Sequence, residues 1–303
     1  MATATATRTR RPRTEQQQAE AREARTAELA ALKKTFDEKV TTLRNSDQWK
    51  NMLTTMAHFH RYSFQNMLLI WAQNPEATYC TGYATWKKLG YQVRKGEKGL
   101  RILAPYTYTR TDANGDPLTD ENGQDVKGVG FRPVSTFDRS QVEPGENARP
   151  LDDETVQILH GNDEHGIILS LGDALRAAGW NLTFEPIKSD ANGYTDPKGR
   201  RIVVDSEIPA AQQAKTLIHE AAHALLHAEL KTGQYVQHRG LYETEAESAA
   251  YVVAAALGWD TAAYSVGYVT GWSEGEAETL QASGANVLKA AHTILEWVEA
   301  NPR

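Results

Sequence analysis

The 303-residue sequence predicts an α+β fold in two domains, a mixed α/β one followed by a mainly helical one with a small sheet. Three observations carry this. Helical periodicity dominates both ends of the chain, whereas turn signals and β-rich runs fill its middle. Residues 143–150 (Glu143-Pro144-Gly145-Glu146-Asn147-Ala148-Arg149-Pro150) dilute all periodicity, as a linker between domains does. The charge also divides there. Residues 1–140 carry a balance of +7 and the remainder −13, within an overall −6. The expected organisation is a disordered tail and lone helix over 1–34, a first domain over 35–142, a linker over 143–160 and a second domain over 161–303.

Residues 1–14 are low-complexity and almost free of large apolar groups, so disorder is expected. From Glu15 to Phe59 the pattern is helical, polar all round at first. Asn45-Ser46-Asp47 breaks it and caps a helix with an apolar stripe of Trp49, Leu53, Met56 and Phe59. Ser63 reads as the cap of a helix over Phe64–Ala72, which Asn74-Pro75 stops. A short helix around Ala84–Leu89 and strands at Gln92–Arg94 and Leu100–Ala104 follow. Asp112-Ala113-Asn114-Gly115 and Glu121-Asn122-Gly123 are turn signals, so one or two hairpins are expected, with Val129–Phe137 returning. Beyond the linker come a helix over Gly172–Ala178 and strands at Leu182–Pro186 and Arg201–Val204. Three helices close the chain, at Ala210–Leu230, Tyr242–Leu257 and roughly Glu274–Ala300.

Composition excludes several classes. No stretch approaches the roughly 20 apolar residues of a membrane helix, and the basic N-terminus lacks the apolar core of a secretory signal. The single cysteine, Cys80, rules out an internal disulfide and a cysteine-based zinc cluster, and it reads as a small buried residue. A reducing cytoplasm is the expected compartment.

The most informative segment is His219-Glu220-Ala221-Ala222-His223. Two histidines four apart on a helix share a face, one turn apart, where they take two positions of a tetrahedral zinc. Glu220, beside the first ligand, is placed to take a proton from the attacking water rather than to bind metal. The flanking Ala and Leu residues bury this helix, and buried histidines need partners. The helix carrying Glu243, Glu245 and Glu247 offers a third ligand. Glu243 heads a stripe of Ala246, Ala250, Val253 and Leu257 that should point inward, Glu247 lies one turn on as a group to orient a ligand histidine, and Glu245 leans to the opposite flank. This geometry separates the three only modestly. His227 lies about 12 Å along the axis from His219, too far to share its metal, and is expected as a hydrogen-bonded histidine at the pocket edge.

The segment from Thr216 to His227, followed by Glu243-Thr-Glu-Ala-Glu-Ser-Ala-Ala-Tyr251, resembles the ImmA/IrrE-type metallopeptidases and the peptidase half of ArdC antirestriction proteins. Gly193-Tyr194-Thr195-Asp196 before the motif helix and Tyr264–Trp272 after it fit the same pattern. The resemblance implies a zincin-like domain in which a downstream glutamate completes the site, and its pattern favours Glu243 as third ligand.

The first domain shows a second series: Tyr62–Ile70, Gln73-Asn74-Pro75, Gly82–Trp86, Leu89–Gly99, Ile102–Pro105 and Val134–Gln141. In this order they are similar to the ArdC N-terminal domain, which implies single-stranded-DNA binding. A long 106–130 hairpin, Arg139 and Val142 depart from that pattern. Independently, Lys87, Lys88, Arg94, Lys95, Lys98 and Arg101 lie within 15 residues, interleaved with Tyr83, Trp86 and Tyr91. Cations that follow phosphates and aromatic faces that accept bases are what sequence-tolerant single-strand binding uses; a core role for the aromatics and a solvated face for the lysines is the competing reading.

The expectation is therefore a single-stranded-DNA-binding zinc metallopeptidase of a mobile element or phage, protecting incoming DNA from restriction, with an unidentified peptide substrate and no membrane partner. Two alternatives stand beside it: a non-catalytic DNA-binding antirestriction protein with a structural zinc, and a regulatory protease of the ImmA/IrrE type that cleaves a repressor.

Overall fold

The computed structural model describes residues 15–43, 46–112, 116–148, 164–230, 235, 237–259 and 277–300. The expected disordered tail, most of the linker and the Tyr264–Trp272 stretch lie outside these residues. Helices α1 (Glu15–Thr42), α2 (Ser46–His58) and α3 (Phe64–Gln73) lead into β1 (Cys80–Thr81), α4 (Tyr83–Lys88), β2 (Tyr91–Val93), β3 (Leu100–Thr109), β4 (Lys127–Asp138) and β5 (Val142–Pro144). The second part runs α5 (Glu164–Ala177), β6 (Asn181–Glu185), β7 (Gly193–Asp196), β8 (Arg201–Asp205), α6 (Ala210–Leu226), α7 (Arg239–Ala256) and α8 (Ala277–Ala300). Helix and strand are thus mixed in the first part and helices dominate the second, the α+β class expected.

Local chemistry explains the boundaries. The Ser63 side chain accepts from the Asn66 backbone N–H, satisfying one orphan donor of α3, and Asn74 ends that helix in an extended conformation. Asp138 organises the turn after β4. Its carboxylate accepts from the backbone N–H groups of Thr78, Tyr79 and Ser140, and Gln141 completes a capping box.

Three small sheets result, ordered β1-β4-β3, β2-β5 and β6-β8-β7. In the first, β3 and β4 form a long antiparallel ladder from Leu100↔Thr136 to Thr109↔Lys127. In the third, β6 runs parallel to β8 and β7 antiparallel, leaving β7 at an edge. Strands β1, β5 and β7 are too short to show a period in sequence.

The two parts share one hydrophobic core. The stripe expected on α2 is buried, but against α7: Trp49 donates through Nε1 to Ser248 Oγ at 3.0 Å, and Thr54 Oγ1 lies 3.1 Å from the Tyr251 hydroxyl. Phe64 of α3 seats on Gly284 of α8, where an added Cβ would stand 2.3 Å from the ring. Helix α1 is not a lone helix over its whole length. It runs unbroken through position 34, and Leu32, Phe36 and Val40 bury a stripe in the common core. Only its first half is polar all round, because the packed surface begins there. A separate small cluster gathers Trp86, Val93 and Val142 under α4, β2 and β5. No described helix is long and apolar enough to cross a membrane.

Candidate metal centre

Helix α6 is alanine- and leucine-rich, and Leu217, Ile218, Ala221 and Ala222 are fully buried. Its four-residue spacing puts His219 and His223 on one face, ring centroids 4.7 Å apart. Helix α7 crosses this face and delivers Glu243. His219 Nε2 and His223 Nε2 lie 3.1 Å apart, and Glu243 Oε2 is 3.5 Å from the first and 3.4 Å from the second. A tetrahedral centre with bonds of about 2.0–2.1 Å has edges of roughly 3.3 Å. The donor set and its spacing therefore fit a divalent cation of zinc's size, and three protein donors leave a coordination position open to the cleft. Among the described residues these three form the group able to hold a metal ion.

Glu247, one turn beyond Glu243, places Oε2 3.2 Å from His219 Nδ1 and Oε1 3.6 Å from Lys215. The Nδ1 contact is within ion-pair reach but out of line for a hydrogen bond, so this nitrogen is buried with no aligned partner. Burial alone would depress His219. The carboxylates of Glu243, Glu247 and Glu220 outweigh it and push its pKa up to about 9. Contact with His219 and His223 holds Glu243 far below the usual carboxylate range. Anionic charge concentrated on two imidazoles is the field of a cation site.

Behind His223 runs a chain of contacts, buried at His227 and Glu245 and ending on the exposed Asn286. Its Nδ1 lies 3.0 Å from His227 Nδ1, His227 Nε2 lies 3.0 Å from Glu245 Oε2, and Asn286 Nδ2 donates to Glu245 Oε1 at 3.2 Å. With His223 Nε2 committed to a cation, its Nδ1 carries the hydrogen. His227 then accepts at Nδ1 and donates from Nε2 to the carboxylate. Burial lowers the His227 pKa, in keeping with a neutral ring.

His227 lines the cleft as a hydrogen-bonded histidine, buried at 4% exposure. One sequence expectation is corrected on α7. Glu245 is the deepest of the three glutamates, while Glu243 and Glu247 line the cleft, because the apolar stripe covers so much of α7 that inside and outside cannot be read from it. The residues sequence reasoning missed were Asn286, which has no motif, and Tyr235, whose hydroxyl donates to Glu243 Oε1 at 3.0 Å.

The cleft above the site has a volume of about 970 Å³ and is walled by β7. Thr195 of β7 donates to Glu220 Oε2 at 2.7 Å, which aims this carboxylate beside the three donors. Gly193 lets β7 lie this close, since a Cβ there would stand 2.6 Å from Thr216 and 3.3 Å from Glu220.

The expected DNA-binding residues divide. Lys87, Lys88, Lys95 and Lys98 are exposed, as is Tyr83. Trp86 is not a stacking face: it is fully buried, donates through Nε1 to Phe137 O at 2.9 Å and is flanked edge-on by Tyr79 and Tyr91. Tyr91 is half-buried against it, since short α4 needs an aromatic anchor to pack at all. Arg101 pairs with Glu28 and donates to Ser135, and Arg94 pairs with Glu97. Cys80 is buried as expected, and burial together with Asp138 pushes its thiol far up.

A family model described as the N-terminal domain of anti-restriction factor ArdC matches residues 20–135, and one described as the IrrE N-terminal-like domain of peptidase M78 matches residues 176–266. An uncharacterized protein of Bacillus anthracis is 26% identical over 272 residues, covering 80% of this chain, which spans only 46% of that protein's length. Among solved structures, the antirestriction ArdC protein from the R388 plasmid is similar in its metal-free form at 22% identity and a TM-score of 0.45, over 80% of this chain and 86% of that one. Its Mn(II)-bound form gives 21% and 0.42, over 79% and 90%.

Proposed function

We propose that this chain, an ArdC-like protein with an ArdC N-terminal domain and an IrrE N-terminal-like domain, is a single-stranded-DNA-binding zinc metallopeptidase that protects the incoming DNA of a mobile element or phage. The observation that carries the enzymatic half is the convergence of His219, His223 and Glu243 in a cleft where Thr195 aims the Glu220 carboxylate. His219, His223 and Glu243 would hold the zinc, which would supply a Lewis acid to activate water and polarise a scissile carbonyl. Glu220 accepts the proton of the attacking water and returns it to the leaving amine. Edge strand β7 offers its outer backbone groups to an extended peptide, which then lies across the cleft. Tyr235 holds Glu243 through its hydroxyl, and the Glu247 carboxylate stands within ion-pair reach of the far side of His219.

A structural zinc is the competing reading. The open fourth position and the glutamate placed beside the donors rather than among them support catalysis instead. The test is metal analysis combined with proteolysis of an unfolded protein substrate, with and without single-stranded DNA. One zinc per chain and cleavage abolished in Glu220→Gln, with zinc retained, are expected. A folded chain that retains no zinc after gentle purification overturns the metal centre, and a zinc-loaded chain that cleaves nothing under either condition overturns the peptidase.

A further inference from the structure

Five of the eight large hydrophobic side chains exposed among the described residues lie on one element, the β3–β4 ribbon and its tip: Tyr106, Tyr108, Leu118, Val129 and Phe131. They do not share one face: Val129 and Phe131, opposite Thr107 and Pro105, stand on the side of the ladder away from the tyrosines. Alternation places Tyr106 and Tyr108 on one face, with Gly130 and Gly128 directly across the ladder. The Tyr106 ring lies across Gly130 and the Tyr108 ring across Gly128. A Cβ at either glycine would stand 2.8 or 2.6 Å from the ring carbon above it. The inner sides of both rings therefore rest on backbone, and the outer sides stay in solvent, with exposures of 39% and 47%. The ring centroids are 6.1 Å apart.

Cations bracket this pair. Arg132, opposite Ala104, stands on the same face below the tyrosines, and Arg110 comes two residues after Tyr108, just past the end of β3. Both are exposed. Three of the carboxylates near the tip are engaged locally. Asp112 and Asp120 accept backbone N–H groups of their own turns, and Asp125 pairs with Lys127 on the opposite face. At the other end, β3 begins two residues after Lys98, so the exposed lysines of the 87–98 segment adjoin the ribbon's base.

We propose that the Tyr106–Tyr108 face of this ribbon, flanked by Arg110 and Arg132, is the base-stacking platform on which a single strand of DNA lies. Two open aromatic faces and two flanking guanidinium groups match a strand with its bases splayed and phosphates between them. Ring spacing of 6.1 Å exceeds the 3.4 Å rise of stacked bases in a duplex, so the strand is held extended. This inference rests on the single-stranded-DNA reading above and supplies the stacking surface that buried Trp86 cannot.

The experiment is fluorescence anisotropy of a labelled single-stranded oligodeoxynucleotide against the full chain at several salt concentrations. Tyr106→Ala and Tyr108→Ala should each weaken binding about 5- to 150-fold, the equivalent of 1–3 kcal/mol per stacked base, with the salt slope unchanged. Tyr106→Phe with Tyr108→Phe should restore near-native affinity, because the ring and not the hydroxyl carries the stacking. Arg110→Gln with Arg132→Gln should lower the salt slope by about 1.4, since each phosphate contact on a single strand contributes about 0.7. If the chain binds the oligonucleotide and the double Tyr→Ala variant binds equally well, the platform is overturned while the DNA-binding reading stands. If the unaltered chain fails to bind even in low salt, that reading falls and the platform with it.

Discussion

His227 illustrates how a residue outside the motif governs one inside it. Its ring links His223 to the buried Glu245 carboxylate, and Asn286 fixes the far oxygen. Histidine ligands held this way are oriented and made more basic, and losing the support costs about 10–100-fold in metal affinity. His227→Ala and Glu245→Ala are each expected to show that loss in competition with a chelator, and the double variant little more than either, since both break the same chain. Glu243→Gln should lose more than Glu247→Gln, because Glu243 Oε2 faces both imidazoles and Glu247 reaches only the far side of His219. Equal retention by all three glutamine variants at 243, 245 and 247 would remove Glu243 from the ligand set.

At the scale of elements, Asp138 is the joint of the first domain. Burial would raise its carboxyl, yet hydrogen bonds from Ser140, Thr78 and Tyr79 outweigh burial and hold it below the ordinary value. A depressed carboxyl contributes stability that is present above the unfolded value, about pH 3.9, and lost as pH falls through the folded one. Asp138→Asn should therefore cost about 1–3 kcal/mol at pH 7, read from the urea midpoint, with the gap to the unaltered protein narrowing toward pH 3. Helix α3 offers a smaller test: Ser63→Ala removes its cap and should cost about 0.5–2 kcal/mol.

For the whole molecule, the continuous core makes the two domains dependent on each other. Trp49 and Phe64 belong to the first domain by sequence and are buried by α7 and α8 of the second. Trp49→Ala should cost about 3–5 kcal/mol and move the unfolding of both parts together. Thermal unfolding followed by tryptophan fluorescence and by loss of zinc is expected to give one midpoint. Two separated midpoints would mean that the shared core contributes little. The same packing predicts that a fragment ending at residue 142 exposes the α2 stripe and associates, unlike the full chain.

Short-range chemistry was legible from the sequence. The Ser63 cap, the helix carrying His219, Glu220 and His223, the Leu100-to-Phe137 hairpin and the α+β class all depend on neighbours within a few positions, where periodicity and capping act. Burial of a given side chain depends on what packs against it from far along the chain. Sequence could therefore not tell that Trp86 is a core anchor while Tyr106 and Tyr108 are open rings beside the expected Tyr83, that Glu245 is interior and Glu243 faces the cleft, or that α2 lies on α7. A helix apolar on nearly all sides, like α7, and an aromatic residue on a short helix, like Trp86, have no preferred face of their own. Tertiary contact decides which side meets water.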